Sequence, residues 1–231
     1  MFFWGYDPTW FLLIPALILA FWAQAKVSNT FARYSRVRSR RGLTGAQVAR
    51  ALLDEAGLSD VAVEPIPGNL TDHYDPRQRV VRLSQGVYQA DSLAALGVAA
   101  HETGHAIQHA RGYAPLGIRN SLFPVANLGS TLAFPLFLVG FFFGRSGLWL
   151  MDLGILLFTA ALLFQLITLP VELNASRRAV ALLEGGGYLA PEETDGAWRV
   201  LSAAAWTYVA AALMALLQLV RLLILRGSRD E

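Results

Sequence analysis

Four apolar runs constrain this chain more than any other feature. A helix needs roughly 17–25 mostly apolar residues to cross the hydrocarbon core of a bilayer. The runs 10–25, 122–143, 148–169 and 200–225 meet or approach that length. The first, WFLLIPALILAFWAQA, carries no charge, and Trp4, Tyr6, Trp10 and Trp22 sit near its ends like interface anchors. No basic residue precedes it and no small-x-small site closes it, so it reads as a retained span rather than a signal peptide. The second contains Pro124 and Pro135, which neighbouring helices can accommodate in lipid. Only Gly144-Arg145-Ser146-Gly147 separates the second run from the third, which predicts a helical hairpin. Asp152, about a turn into the third run, is expected to favour the N-terminal end of the helix dipole. Arg221, late in the fourth, is expected to snorkel to the interface. With 55% hydrophobic and only 16% charged residues, against about 25% charged in soluble domains, the chain reads as a mainly α integral membrane protein with about four transmembrane helices.

The cations orient those spans. Of 18 Arg and 1 Lys, 12 fall in 26–121 and three in 170–199. Arg145, Arg221, Arg226 and Arg229 fall on the other side. The positive-inside rule therefore places 26–121 and 170–199 in the cytoplasm. The run RYSRVRSRR (33–41) directly follows a span, so it reads as a topology determinant touching anionic headgroups. A net charge of +2 argues against a nucleic-acid partner. The absence of cysteine excludes disulfides and thiolate metal sites.

Segment 26–121 reads as a small α+β domain. Thr44 with Gln47 three residues on forms a capping-box pattern for a helix that Gly57 stops. Residues 61–64 look strand-like and lead into a turn at Pro65, Pro67 and Gly68. LTDHYDPRQRVVRLS (70–84) reads as a hairpin opened by Asp75-Pro76, with a β-rich arm over Arg79, Val80, Val81, Arg82 and Leu83. Asp91 or Ser92 caps a helix running to about Arg111 and stopped by Gly112.

On that helix stands His101-Glu102-Thr103-Gly104-His105, an HExxH motif. Residues i and i+4 share a helix face, so both imidazoles can reach one Zn²⁺. Glu102 lies beside them as general base for a water whose pKa zinc lowers toward about 7. A catalytic zinc also needs a third protein ligand. His109 is turned about 80° from His101 around the helix and should not reach the same ion. Gln108 and Arg111 exclude an HExxHxxGxxH arrangement. His73 and the later carboxylates remain open. The best placed is Glu172 in LPVELNASRRA (169–179), just after the third span and on the HExxH side. A helical reading puts Glu172, Ala175, Ser176 and Ala179 on one stripe; the competing reading is a surface Glu172 paired with Arg177 or Arg178. Glu184, Glu192, Glu193 and Asp195 lie in a Gly-rich, solvated stretch and are weaker rivals.

The N-terminal span, LTDHYDPRQRVVRLS, AAHETGHAIQHA, LPVELNASRRA and the late TYVAAAL together resemble the YugP-type family of bacterial membrane zinc metallopeptidases. More distantly the chain is similar to HtpX-like peptidases, zincins whose third ligand is the Glu of an ExxxD motif. Here that Glu matches Glu172, and Ser176 stands where the Asp would be. The resemblance implies that His101, His105 and Glu172 bind one catalytic Zn²⁺ (a gluzincin set) and that Glu102 is the base. It implies a bacterial cytoplasmic (inner) membrane location, and an edge strand pairing with extended substrate, here Arg79 to Leu83. His73 or Tyr74 is a candidate oxyanion donor, although both could simply pack the hairpin; Tyr208 is a weaker candidate. The expectation is a zinc endopeptidase with a cytoplasmic zincin-like domain at the membrane interface. Its partners are a peptide or protein substrate and the lipid bilayer. A zinc-binding scaffold or regulator that cuts nothing is the alternative.

Overall fold

The computed structural model describes residues 7–228. A 3₁₀ turn at Pro8–Leu13 leads into α1 (Ile14–Tyr34), followed by α2 (Gly45–Glu55), β1 (Ala62–Ile66), β2 (His73–Asp75), β3 (Val80–Ser84), α3 (Gln85–Tyr88) and α4 (Leu93–Ala110). Then come α5 (Ala114–Phe142), a second 3₁₀ turn (Gly144–Gly147), α6 (Leu148–Gly185) and α7 (Pro191–Gly227). Among the described residues, four helical stretches are long and apolar enough to cross a membrane: Pro8–Tyr34, Ala114–Phe142, Gly144–Gly185 and Pro191–Gly227. Trp4 and Tyr6 lie outside the described residues.

The chain divides into two compact units. The first holds 118–169 together with the chain ends, up to Trp22 and from Thr207. Its hairpin of α5 and α6 is packed backbone to backbone. A Cβ at Gly154 would stand 2.6 Å from the carbonyl oxygen of Ala133, so only glycine allows that approach. Large apolar side chains such as Phe21, Phe142 and Trp149 point outward, as a lipid-facing surface requires. Asp152 does more than sit at a helix start: Arg226 donates to both its carboxylate oxygens, at 2.8 and 3.2 Å. Arg221 corrects the snorkelling expectation. It is only 5% exposed, donates to Asp7 Oδ2 at 2.6 Å and Thr9 Oγ1 at 3.1 Å, and stacks over the Trp10 ring at 4.1 Å. Polar partners from the chain start keep the guanidinium inside, where an unpaired charge would be costly.

The second unit holds 23–117 and 170–206. Its local signals act as their chemistry dictates. Thr44 and Gln47 close a reciprocal capping box on α2. The Ser92 hydroxyl accepts from Ala95 N at the start of α4. Gly112 takes φ +61° just past the C-cap of α4, a conformation that costs glycine nothing. Helix α4 is sandwiched between two cores. Leu93, Leu96 and Ala100 meet Val48 and Leu52 of α2, Ala179 and Leu183 of α6, and Ala197 and Leu201 of α7. Ala95, Ala99 and Ile107 join Leu53, Val81, Leu83 and Val87 in a second cluster on the sheet side.

The sheet order is β1-β3-β2. This corrects the edge-strand expectation. Val80 to Ser84 pairs in parallel with Ala62 to Ile66 on one side, and Val80 to Arg82 pairs antiparallel with His73 to Asp75 on the other. Arg79 lies before the strand at φ +54° and pairs with Asp60 at 2.8 Å. Arg82 reaches Glu64 at 3.5 Å and Asp75 at 3.3 Å, with Gln78 as a further partner. Val80, Val81 and Leu83 are buried. The most β-prone segment takes the middle of the sheet because the middle buries the most apolar surface.

Candidate metal centre

Helix α4 presents His101 and His105 one turn apart, their rings edge to face with centroids 4.7 Å apart. Helix α6 brings Glu172 against them. Its Oε2 lies 3.2 Å from His101 Nε2 and 3.5 Å from His105 Nε2. One ligand atom from each of the three residues falls within 4.8 Å of the others, the spacing of donors that can share one cation. Glu172 is 3% exposed, which excludes the surface-pair reading; Arg178 donates instead to Asn174 Oδ1 at 2.7 Å.

The donor set suits zinc. Two imidazoles and one carboxylate form a known catalytic ligand set. Ligating histidines usually engage their second ring nitrogen as well, and both do so here. His101 Nδ1 makes a 3.1 Å hydrogen bond with Ser176 Oγ, and His105 Nδ1 makes one of 3.0 Å with Gln108 Oε1. Ser176, which stands where the ExxxD motif has Asp, is the hydroxyl behind His101. Gln108 and Asn174 were not foreseen. Their signal was the helical spacing of Gln108, three residues after His105 and so on the same face.

One feature of α4 helps to bring α6 within reach. Gly104 carries no side chain where a Cβ would stand 3.0 Å from the Ala175 carbonyl oxygen. Glu102 is 9% exposed, yet no hydrogen bond or ion pair engages its carboxylate among the described residues. That leaves a carboxylate next to the ligand cluster uncommitted. Burial works against protonation of His105, but hydrogen bonding and charge from Glu172, with Glu102 adding charge, outweigh it. The pKa of His105 is therefore raised in the metal-free chain.

The other sequence candidates are engaged elsewhere. His73 Nδ1 bonds the Thr71 carbonyl oxygen at 2.8 Å. The Tyr74 hydroxyl bonds His109 Nδ1 at 2.8 Å. Glu193 accepts from the backbone of Arg40 at 2.8 Å and of Ala190 at 2.9 Å, capping α7. Glu192 pairs with Arg40, and Asp195 with Arg199.

A family model described as "Putative neutral zinc metallopeptidase" matches residues 9–227. "Putative membrane protease YugP" of Bacillus subtilis (strain 168) is 53% identical over 222 residues, covering 96% of this chain and 98% of that relative. No solved structure matches the chain significantly.

Proposed function

The chain belongs to the family described as "putative neutral zinc metallopeptidase", and from that premise we infer that it is a gluzincin-type zinc endopeptidase of the bacterial cytoplasmic membrane. One observation carries the reading: two imidazoles and a carboxylate converge on one point beside an uncommitted glutamate. His101, His105 and Glu172 would hold the ion. When bound, zinc supplies Lewis acidity to the scissile carbonyl and lowers the pKa of a water toward about 7. Glu102 takes the proton of the attacking water and returns it to the leaving amine.

Substrates are membrane or membrane-delivered polypeptides cut near the inner surface. Glu172 lies three residues past the apolar run 148–169 on the same helix, a rise of about 4.5 Å. With β3 paired on both sides, the outer edge of β2 is the main chain that an extended substrate would join.

Glu102→Gln should retain zinc and lower cleavage of an unstructured test protein by about 10²–10⁴-fold. A variant that cuts as fast as wild type would leave a zinc-holding scaffold. The cysteine-free chain also suits labelling. Ser146→Cys should react with an impermeant thiol reagent only from outside the cell; reaction only from the cytoplasmic side would reverse the orientation.

A further inference from the structure

We propose that Gln108 is a positioning residue that sets the tautomer of His105, so that this imidazole meets the metal with its Nε2 lone pair already exposed. The proposal rests on the zinc reading for its purpose, though not for its geometry.

Gln108 is fully buried. Its Oε1 lies 3.0 Å from His105 Nδ1 on its own helix. Its Nε2 donates across to α6, to the Val171 carbonyl oxygen at 3.0 Å and to Asn174 Oδ1 at 2.9 Å. A side-chain amide can sit either way round, so its orientation must come from partners of fixed polarity. Two such partners are present. A backbone carbonyl such as that of Val171 only accepts. The Arg178 guanidinium only donates, and it donates to Asn174 Oδ1 at 2.7 Å, which fixes an oxygen on the side facing Gln108. Turning Gln108 over would set its oxygen against two acceptors at a fully buried position.

The orientation then propagates. Both ring nitrogens of His105 face acceptors, but Gln108 Oε1 lies 3.0 Å from Nδ1 and Glu172 Oε2 3.5 Å from Nε2, so the neutral ring carries its proton on Nδ1 and keeps the Nε2 lone pair on the Glu172 side. His101 is different, because its Nδ1 faces the Ser176 hydroxyl, which rotates to donate or accept. In the metal-free chain with neutral rings, His101 donates from Nε2 to Glu172 at the shorter distance of 3.2 Å. Ligation requires His101 to move its proton to Nδ1, whereas His105 needs no change.

Loss of such outer partners typically weakens metal binding about 10–100-fold. Gln108→Met keeps the bulk and removes both polar contacts, so its zinc affinity, read by chelator competition, should fall by that factor. Gln108→Glu keeps the acceptor on His105 but sets a carboxylate oxygen against the Val171 carbonyl. It should fold less stably yet bind zinc within a few-fold of wild type. A residue that merely packs would give the reverse ranking, with Met tolerated and Glu severe, and that ranking overturns the proposal.

A measurement on the unaltered chain decides the point if the variants do not fold. In ¹⁵N-histidine spectra of metal-free protein at a pH that leaves the rings neutral, His105 (assigned by its loss in His105→Ala) should be the Nδ1–H tautomer. An Nε2–H tautomer there overturns the proposal. Wild-type protein that shows the expected tautomer but takes up no zinc would instead count against the zinc peptidase reading alone.

Discussion

Helix α6 carries two kinds of environment along its sequence. Between 148 and 169 the two Thr hydroxyls fold back and Asp152 sits near the helix start. The Thr159 and Thr168 hydroxyls donate to the carbonyls of Ile155 and Phe164, one turn earlier, both at 2.8 Å, and Asp152 pairs with Arg226. Between 170 and 185 the polar groups reach outward to α4. Glu172 and Ser176 meet His101, while Val171 and Asn174 meet Gln108. In lipid a polar side chain must be satisfied locally. The first stretch packs within the apolar unit, and the second brings a carboxylate to the His101–His105 pair.

That division can be broken at chosen points. The largest effect is expected from Glu172→Ala, which should lose stoichiometric zinc by elemental analysis while the apolar half still inserts. Zinc content equal to wild type would remove Glu172 from the ligand set. Gly154→Leu should act on the other half. It forces a side chain against the Ala133 carbonyl and should cost about 1–3 kcal/mol of stability, measured by thermal unfolding, with zinc affinity little changed. A Gly154 variant that sheds zinc would show the two halves to be coupled.

The halves should also differ in pH response. His105 has a raised pKa when folded. In the metal-free chain its contribution to stability is therefore complete below the unfolded value of about 6.5 and is lost as pH climbs through the raised folded value. Zinc affinity should run the opposite way, strengthening with pH as the ligands give up protons. Unfolding curves and chelator competition across that window test both slopes, and metal-free stability that rises through it would contradict the His105–Glu172 contact. The smallest effect belongs to Asp152→Asn. The pair with Arg226 is substantially exposed, and such pairs contribute at most about 1 kcal/mol. A larger loss on unfolding would mean that the pair fixes the two helices.

Much of the site was legible because its signals are local. HExxH is one helical turn, the capping box needs four consecutive residues, and Gly112 stops a helix by its own backbone freedom. Glu172 was legible because it follows directly on an apolar run long enough to be a span. What escaped is what depends on neighbours distant in sequence. The strand arm at 80–84 was visible as a strand, but alternation alone does not say whether a strand has one partner or two. The apolar run stops at 169, yet α6 continues through Pro170 to Gly185.

From its residues alone the chain determines four apolar helices, the motif on α4 and the donor types near it, because hydrophobic length and i, i+4 spacing are properties of a single segment. Tertiary structure alone decided which hydroxyl stands behind His101, which amide stands behind His105 and which strand lies at the centre. Each of those depends on how closely two separate elements approach, and that distance is set by packing, as where Gly104 lets α6 come in.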